Sequence, residues 1–206
     1  MFQLDYAGYA FPVEGLGPGR RLVIWVRGCS RRCAGCMTPE LWQSASPTPV
    51  TDIANELLPF LQKVDGLTIS GGEPFEQPDA LCALLDSLRR ENNVETLLYS
   101  GYLLEEISSG DQAARELLSR LDLLIDGPYI ASCSNVLQWR GSDNQRLHLL
   151  STRAQHFAEE QNKPMADPRP LQLQMLSAAS CRIIGIPRRG DVDALLAQGI
   201  KLRSEW

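Results

Sequence analysis

Apolar runs of strand length recur along the chain at residues 22–26, 67–69, 96–99, 123–125 and 147–150, several of them bounded by glycine or polar turn residues. Between the first four, the apolar spacing changes to that of helices. Residues 51–63 place Ile53, Leu57, Leu58 and Leu61 on one face, and residues 78–91 do the same with Leu81, Leu84, Leu85 and Leu88. Thr51 followed by Asp52 fits an N-cap, and Pro78 fits a first helical turn. A weaker helical pattern spans 111–119. Strands alternating with helices predict βαβ units, a mostly parallel sheet, and ligands at the carboxyl ends of the strands.

The pattern changes after residue 163. Lys163-Pro164 and Asp167-Pro168-Arg169-Pro170 punctuate a loop. Residues 171–176 and 181–186 then flank Ser177-Ala178-Ala179-Ser180, which predicts a β-hairpin. A short helix at 191–198, a stop at Gly199 and the run Ile200-Lys201-Leu202 complete an α+β tail. The expected organisation is an α/β domain over 1–163 and a hairpin-helix extension over 164–206.

A chain of 206 residues with 44% hydrophobic and 22% charged residues has the composition of an ordinary globular domain. Its longest purely aliphatic or aromatic run, 22–26, is far short of the roughly 20 residues that cross a bilayer, so no membrane span is expected. The N-terminal residues lack a basic head followed by an apolar run, so the expected location is cytoplasmic, with reduced thiols. The net charge of −5 gives no electrostatic reason to expect nucleic acid. Basic pairs such as Arg20-Arg21 and Arg31-Arg32 read as solvated surface.

The six cysteines say more. Cys29, Cys33 and Cys36 form a CxxxCxxC triplet directly after the first strand, in Gly28-Cys29-Ser30-Arg31-Arg32-Cys33-Ala34-Gly35-Cys36-Met37. Three readings compete. A disulfide with a spare thiol conflicts with a reducing compartment. Structural zinc needs a fourth ligand, and His148 and His156 stand far along the chain. An iron–sulfur cluster ordinarily takes four cysteines, and Cys82, Cys133 and Cys181 are isolated, so three ligands would leave one iron open to substrate.

With that triplet the chain resembles the radical SAM superfamily. The resemblance implies a [4Fe–4S] cluster on Cys29, Cys33 and Cys36, with S-adenosylmethionine on the fourth iron. It also implies reductive cleavage to a 5′-deoxyadenosyl radical that removes a substrate hydrogen. Where that family has an aromatic residue after the third cysteine, to pack on the adenine, this chain has Met37, whose thioether can pack on a π-face. Ser70-Gly71-Gly72-Glu73-Pro74, at the end of the second predicted strand, matches the family's GGE motif, which holds the methionine amino group.

Leu98-Tyr99-Ser100-Gly101-Tyr102, Ile125-Asp126-Gly127-Pro128-Tyr129 and the segment from Trp139 to Arg146 resemble the activating proteins of anaerobic ribonucleotide reductases, over roughly residues 8–150. That resemblance implies an incomplete β/α barrel, open enough for a macromolecular substrate, and an activity that places a radical on a glycine of a partner enzyme. It places Ser70, Ser100 and Asp126 at the SAM end and Arg140 to Gln145 at the floor or partner face. A reductant such as flavodoxin or ferredoxin is implied as well. Two alternatives stand beside it: a small-molecule radical SAM enzyme similar to 7-carboxy-7-deazaguanine synthase, and a non-catalytic iron–sulfur module.

Residues with a simpler reading are Gly15-Leu16-Gly17-Pro18-Gly19, which precedes a strand and so is no dinucleotide loop, and His148 and His156, expected to be structural or at the surface. Cys82 is expected as a buried thiol, and Trp25 and Trp42 as packing residues.

Overall fold

The computed structural model describes residues 2–177, 180–188 and 190–197. Two short strands, β1 (Gln3–Leu4) and β4 (Thr48–Pro49), pair with each other at one margin. The body is a six-stranded sheet. Its order is β2 (Tyr6–Val13), β3 (Arg21–Val26), β5 (Gly66–Gly71), β6 (Glu95–Tyr99), β7 (Leu123–Asp126) and β8 (Arg146–Leu149). The four strands from β3 to β7 run parallel, while β2 and β8 pair antiparallel at the two edges. The sheet is therefore open, and no barrel closes. No helix among the described residues is long and apolar enough to cross a membrane.

The crossovers are helical. α1 (Val50–Leu61) joins β3 to β5, α2 (Pro78–Glu91) joins β5 to β6, and α3 (Leu104–Ser108) with α4 (Gln112–Leu118) joins β6 to β7. Alternate strand residues Leu22, Ile24, Val26, Leu67, Ile69 and Leu98 pack beneath the leucines of α1 and α2 in one core. Full burial of each such side chain contributes about 1.5–3 kcal/mol. Pro78 occupies the first helical turn of α2, as its fixed φ favours. The start of α1 differs from expectation. It begins at Val50 after Pro49 with no side-chain cap, and the Thr51 hydroxyl donates to Asp52 (3.3 Å) instead of capping.

The opposite, inner face of the sheet carries Val23, Trp25, Thr68, Leu97, Leu123 and Ile125, and no helix crossover covers it. At the amino ends of the strands the wholly buried Arg21 donates to Thr68 Oγ1 (2.9 Å), the Leu67 carbonyl (2.6 Å) and Glu95 (2.9 Å). This corrects the surface reading of the Arg20-Arg21 pair. The glycine-rich lead-in wraps the same group, since a Cβ on Gly17 would lie 3.2 Å from Arg21 Nε.

The tail forms the expected hairpin, β9 (Gln172–Ser177) with β10 (Ser180–Ile184), followed by α5 (Asp191–Ala197). Gly199 and Ile200 to Leu202, read as a stop and a final strand, lie outside the described residues.

Candidate active site

Each parallel strand hands the chain to a loop at its carboxyl end, and those loops enclose one cavity. The loop after β3 contributes Cys29, Cys33 and Cys36, all free thiols and all half-buried. The end of β5 contributes Ser70 and Gly71, the loop after it Gly72 and Glu73, and the loop after β6 Ser100 and Gly101.

Backbone lacing holds the first two loops together. The Gly72 amide donates to the Val26 carbonyl and the Glu73 amide to the Gly28 carbonyl, each at 2.7 Å. Ser30 donates from its amide to Glu76 (2.8 Å), and Gln77 Nε2 donates to the Arg27 carbonyl (2.9 Å). This contact explains the glycine pair. Gly71 sits at φ +116° with its would-be Cβ 2.3 Å from the Val26 carbonyl oxygen, and a Cβ on Gly72 would lie 2.2 Å from that of Gly28. Any side chain there would push the cysteine loop away from the Glu73 loop.

Glu73 is 1% exposed. Its carboxylate accepts from the Phe75 amide (3.0 Å), the Ser100 hydroxyl (2.9 Å) and the Gly101 amide (2.7 Å). Burial pushes its pKa up to about 7, against the pull of those three donors. Burial likewise raises the Cys29 thiol, opposed by backbone amides of Arg32 and Arg31 directed at its sulfur. The Thr38 amide donates to Cys36 Sγ at 3.4 Å.

Amide donors aimed at sulfur suit metal-bound thiolates. Among the described residues, no three His, Cys, Asp or Glu side chains converge on one point, as a mononuclear zinc site requires. A cubane makes a different demand, one thiolate for each of three irons around a shared cavity, and three free cysteines lining one cavity meet it.

Met37 borders the cavity and is 48% exposed. Asp126 is elsewhere. Its buried carboxylate accepts from Arg146 Nε (2.9 Å) and the Leu104 amide (2.6 Å), with His148 Nε2 3.1 Å away. Burial acts to raise this carboxyl, but Arg146, the Leu104 amide and His148 together hold it below the usual carboxylate range. The next residue, Gly127, borders the cavity instead. Gln145 props that turn, donating to the Gly127 carbonyl (3.0 Å) and accepting from the Gly141 amide (2.9 Å). Gly141 and Gln145 reach the cavity, whereas Arg140 is buried away from its lining.

Sequence reasoning missed several lining residues, among them Leu16, Thr38, Trp42, Tyr99 and Ile186, and Arg31, read as solvated surface, borders the cavity as well. Trp42, read as packing, borders the cavity with an indole nitrogen that is buried and has no partner among the described residues. Cys82 and Trp25 are core residues, as expected. His156 is exposed on a 3₁₀ run, Thr152–Asn162, against Phe157.

Residues 15–148 match the family described as a 4Fe-4S single cluster domain. The anaerobic ribonucleoside-triphosphate reductase-activating protein of Vibrio cholerae is 33% identical over 156 residues, covering 70% of this chain and 97% of that protein. Its namesake in Escherichia coli K12 is 32% identical over 158 residues, covering 71% and 99%. That of Enterobacteria phage T4 is 34% identical over 137 residues, covering 64% and 85%. The crystal structure of QueE from Escherichia coli aligns over 97% of this chain and 92% of its own, at 13% identity and a TM-score of 0.45, too low to infer a shared fold. The cysteine triplet, the cavity it lines, the family match and the activating-protein relatives together show that the chain belongs to the family of [4Fe–4S] radical SAM proteins that includes the anaerobic ribonucleoside-triphosphate reductase-activating proteins.

Proposed function

We propose that this protein is an activase that removes a hydrogen atom from a glycine of an anaerobic ribonucleoside-triphosphate reductase, the enzyme its relatives are named for. The observation that carries the reading is the convergence of the CxxxCxxC loop and Gly71-Gly72-Glu73 on one cavity at the carboxyl ends of parallel strands. Cys29, Cys33 and Cys36 hold the [4Fe–4S] cluster. When bound, that cluster supplies the electron that splits S-adenosylmethionine to a 5′-deoxyadenosyl radical.

The chain's own residues bind and orient. Glu73 receives the ammonium group of S-adenosylmethionine, and a carboxylate near half-ionised at neutral pH becomes fully ionised beside a cation. Ser100 and the Gly101 amide fix the direction of that carboxylate, since each donates to a different oxygen. Met37 offers its thioether to the adenine face, and Ser70 lines the same cavity. Asp126 acts at one remove, by pinning the end of β7 so that Gly127 forms part of the rim. The fold in this reading is a partial barrel of radical SAM type over 1–163 with the extension 164–206. Its open side admits the partner's glycine-bearing segment. A flavodoxin or ferredoxin is the proposed electron source.

The test is anaerobic. Reconstituted, reduced protein is mixed with S-adenosylmethionine and the reductase from the same organism, and the glycyl radical is read by EPR. A reductase radical that disappears with Cys33→Ala supports the reading. Turnover of a pterin without any protein partner would overturn the activase role in favour of a small-molecule enzyme.

A further inference from the structure

The inner face of the sheet, bare of helix crossovers among the described residues, is covered in part by residues from beyond the family match, which ends at 148. Ile184 and Ile186 are 3% and 7% exposed and join Val13, Leu16, Val23, Trp25 and Leu41 in a second core, with Met165 packed against it. Hydrogen bonds seat this run. Gln172 Nε2 donates to the Pro12 carbonyl (2.6 Å) on the edge strand. Arg169 Nη1 donates to the carbonyls of Ile186 and Pro187, each at 3.3 Å, and Asn135 Nδ2 donates to the Pro187 carbonyl (3.0 Å). Within this run the two isoleucines differ in one respect. Ile186 also borders the cavity of the three cysteines, beside Leu16 and Tyr99, while Ile184 does not.

The polar groups of the cavity, Glu73 and Ser100 among them, stand on the loops at the strand ends, and this wall is apolar. An apolar wall excludes water and gives the carbon surface of a ligand something to pack against. We infer that residues 164–177 and 180–188 complete the ligand site: bound S-adenosylmethionine packs against Ile186, so occupancy of the cavity and seating of this run are coupled. The inference rests on the radical SAM reading of the cavity.

Hydrogen exchange of the reconstituted protein, with and without S-adenosylmethionine, tests it at two places. The amides of Gly72, Glu73 and Phe75 report the loop, and those of Ile184 and Ile186 report the run. Both sets are expected to slow when the ligand is added. Equilibrium dialysis then separates contact from general packing. Ile186→Ala is expected to weaken S-adenosylmethionine binding about five- to tenfold at unchanged iron content, and Ile184→Ala, which loosens the same run without bordering the cavity, to weaken it clearly less. Should Ile186→Ala fail to take up iron, Ile186→Val is expected to weaken binding about twofold.

Slowing at the loop with no change at Ile184 and Ile186, or equal weakening by Ile184→Ala and Ile186→Ala, would overturn the inference and leave the radical SAM reading intact. No slowing at either place would overturn that reading, and the inference with it.

Discussion

At the amino ends of the parallel strands the wholly buried Arg21 is met by Glu95, Thr68 and backbone carbonyls, so a buried charge is answered by a buried charge. At the carboxyl ends the equally buried Glu73 is answered by two amides and a hydroxyl, all neutral. The first arrangement is complete in itself and locks three strands together. In the second, the cost of burial persists as a carboxyl pKa of about 7, a state that a cationic ligand would relieve. The two ends thus separate a charge that serves the fold from a charge that serves a ligand.

The comparison breaks most sharply at Arg21. Arg21→Met leaves Glu95 buried without its partner, and the urea midpoint should drop by the equivalent of about 3–5 kcal/mol. Ligand affinity of the folded fraction should not move. Arg21→Met with Glu95→Leu should recover much of the loss, because an apolar pair of similar volume carries no stranded charge.

Glu73→Gln should show the reverse profile. S-adenosylmethionine binding, measured by dialysis, should weaken about 10- to 100-fold through loss of a charge-assisted hydrogen bond. Stability should also change its pH dependence. Because the folded pKa lies above the ordinary value of 4.5, the folded state holds more protons between there and about 7, and stability falls as pH rises through that window. The variant should lack that slope, seen as parallel denaturation midpoints at pH 5 and pH 7. It should be less stable at the acid end, where the new amide opposes the Gly101 N–H donor.

Asp126→Asn sharpens the distinction at smaller scale. Its carboxyl is held below the ordinary range, so its stabilisation is present above the unfolded pKa and is lost as pH falls through the folded one. Loss of its charged hydrogen bonds should lower stability by about 1–3 kcal/mol at neutral pH, with the difference from wild type vanishing in acid. Trp42→Phe should have the mildest effect, weakening S-adenosylmethionine binding about threefold by removing the indole donor, with little change in thermal midpoint.

Much of the architecture was legible because local signals and tertiary packing agree. The leucine spacing of α2 marked its buried face, and Pro78 marked its first turn. The edge strand Tyr6–Val13 escaped because Gly8 and Pro12 break its alternation, and an antiparallel edge makes little demand on pattern. Arg21 read as surface since nothing in two adjacent arginines reveals that one meets Glu95, 74 positions away.

The candidate site divides along the same line. Cys29, Cys33, Cys36 and Gly71-Gly72-Glu73 are consecutive motifs, and their chemistry shows in their spacing. Leu16, Trp42, Tyr99 and Ile186 come from four separate parts of the chain and meet only through the folded sheet. Asp126 shows the limit of a motif match, which fixes a position in the chain and not the direction of a side chain. Its carboxylate is turned to Arg146 and the Leu104 amide.

The central claim is that three cysteines and the Glu73 loop form a site that cleaves S-adenosylmethionine. The most direct measurement is the yield of 5′-deoxyadenosine from anaerobically reconstituted, dithionite-reduced protein supplied with S-adenosylmethionine, beside a Cys33→Ala control. Release that falls to background in the control is the predicted result. A well-formed four-iron cluster that releases no 5′-deoxyadenosine, and whose EPR spectrum S-adenosylmethionine leaves unchanged, would contradict it.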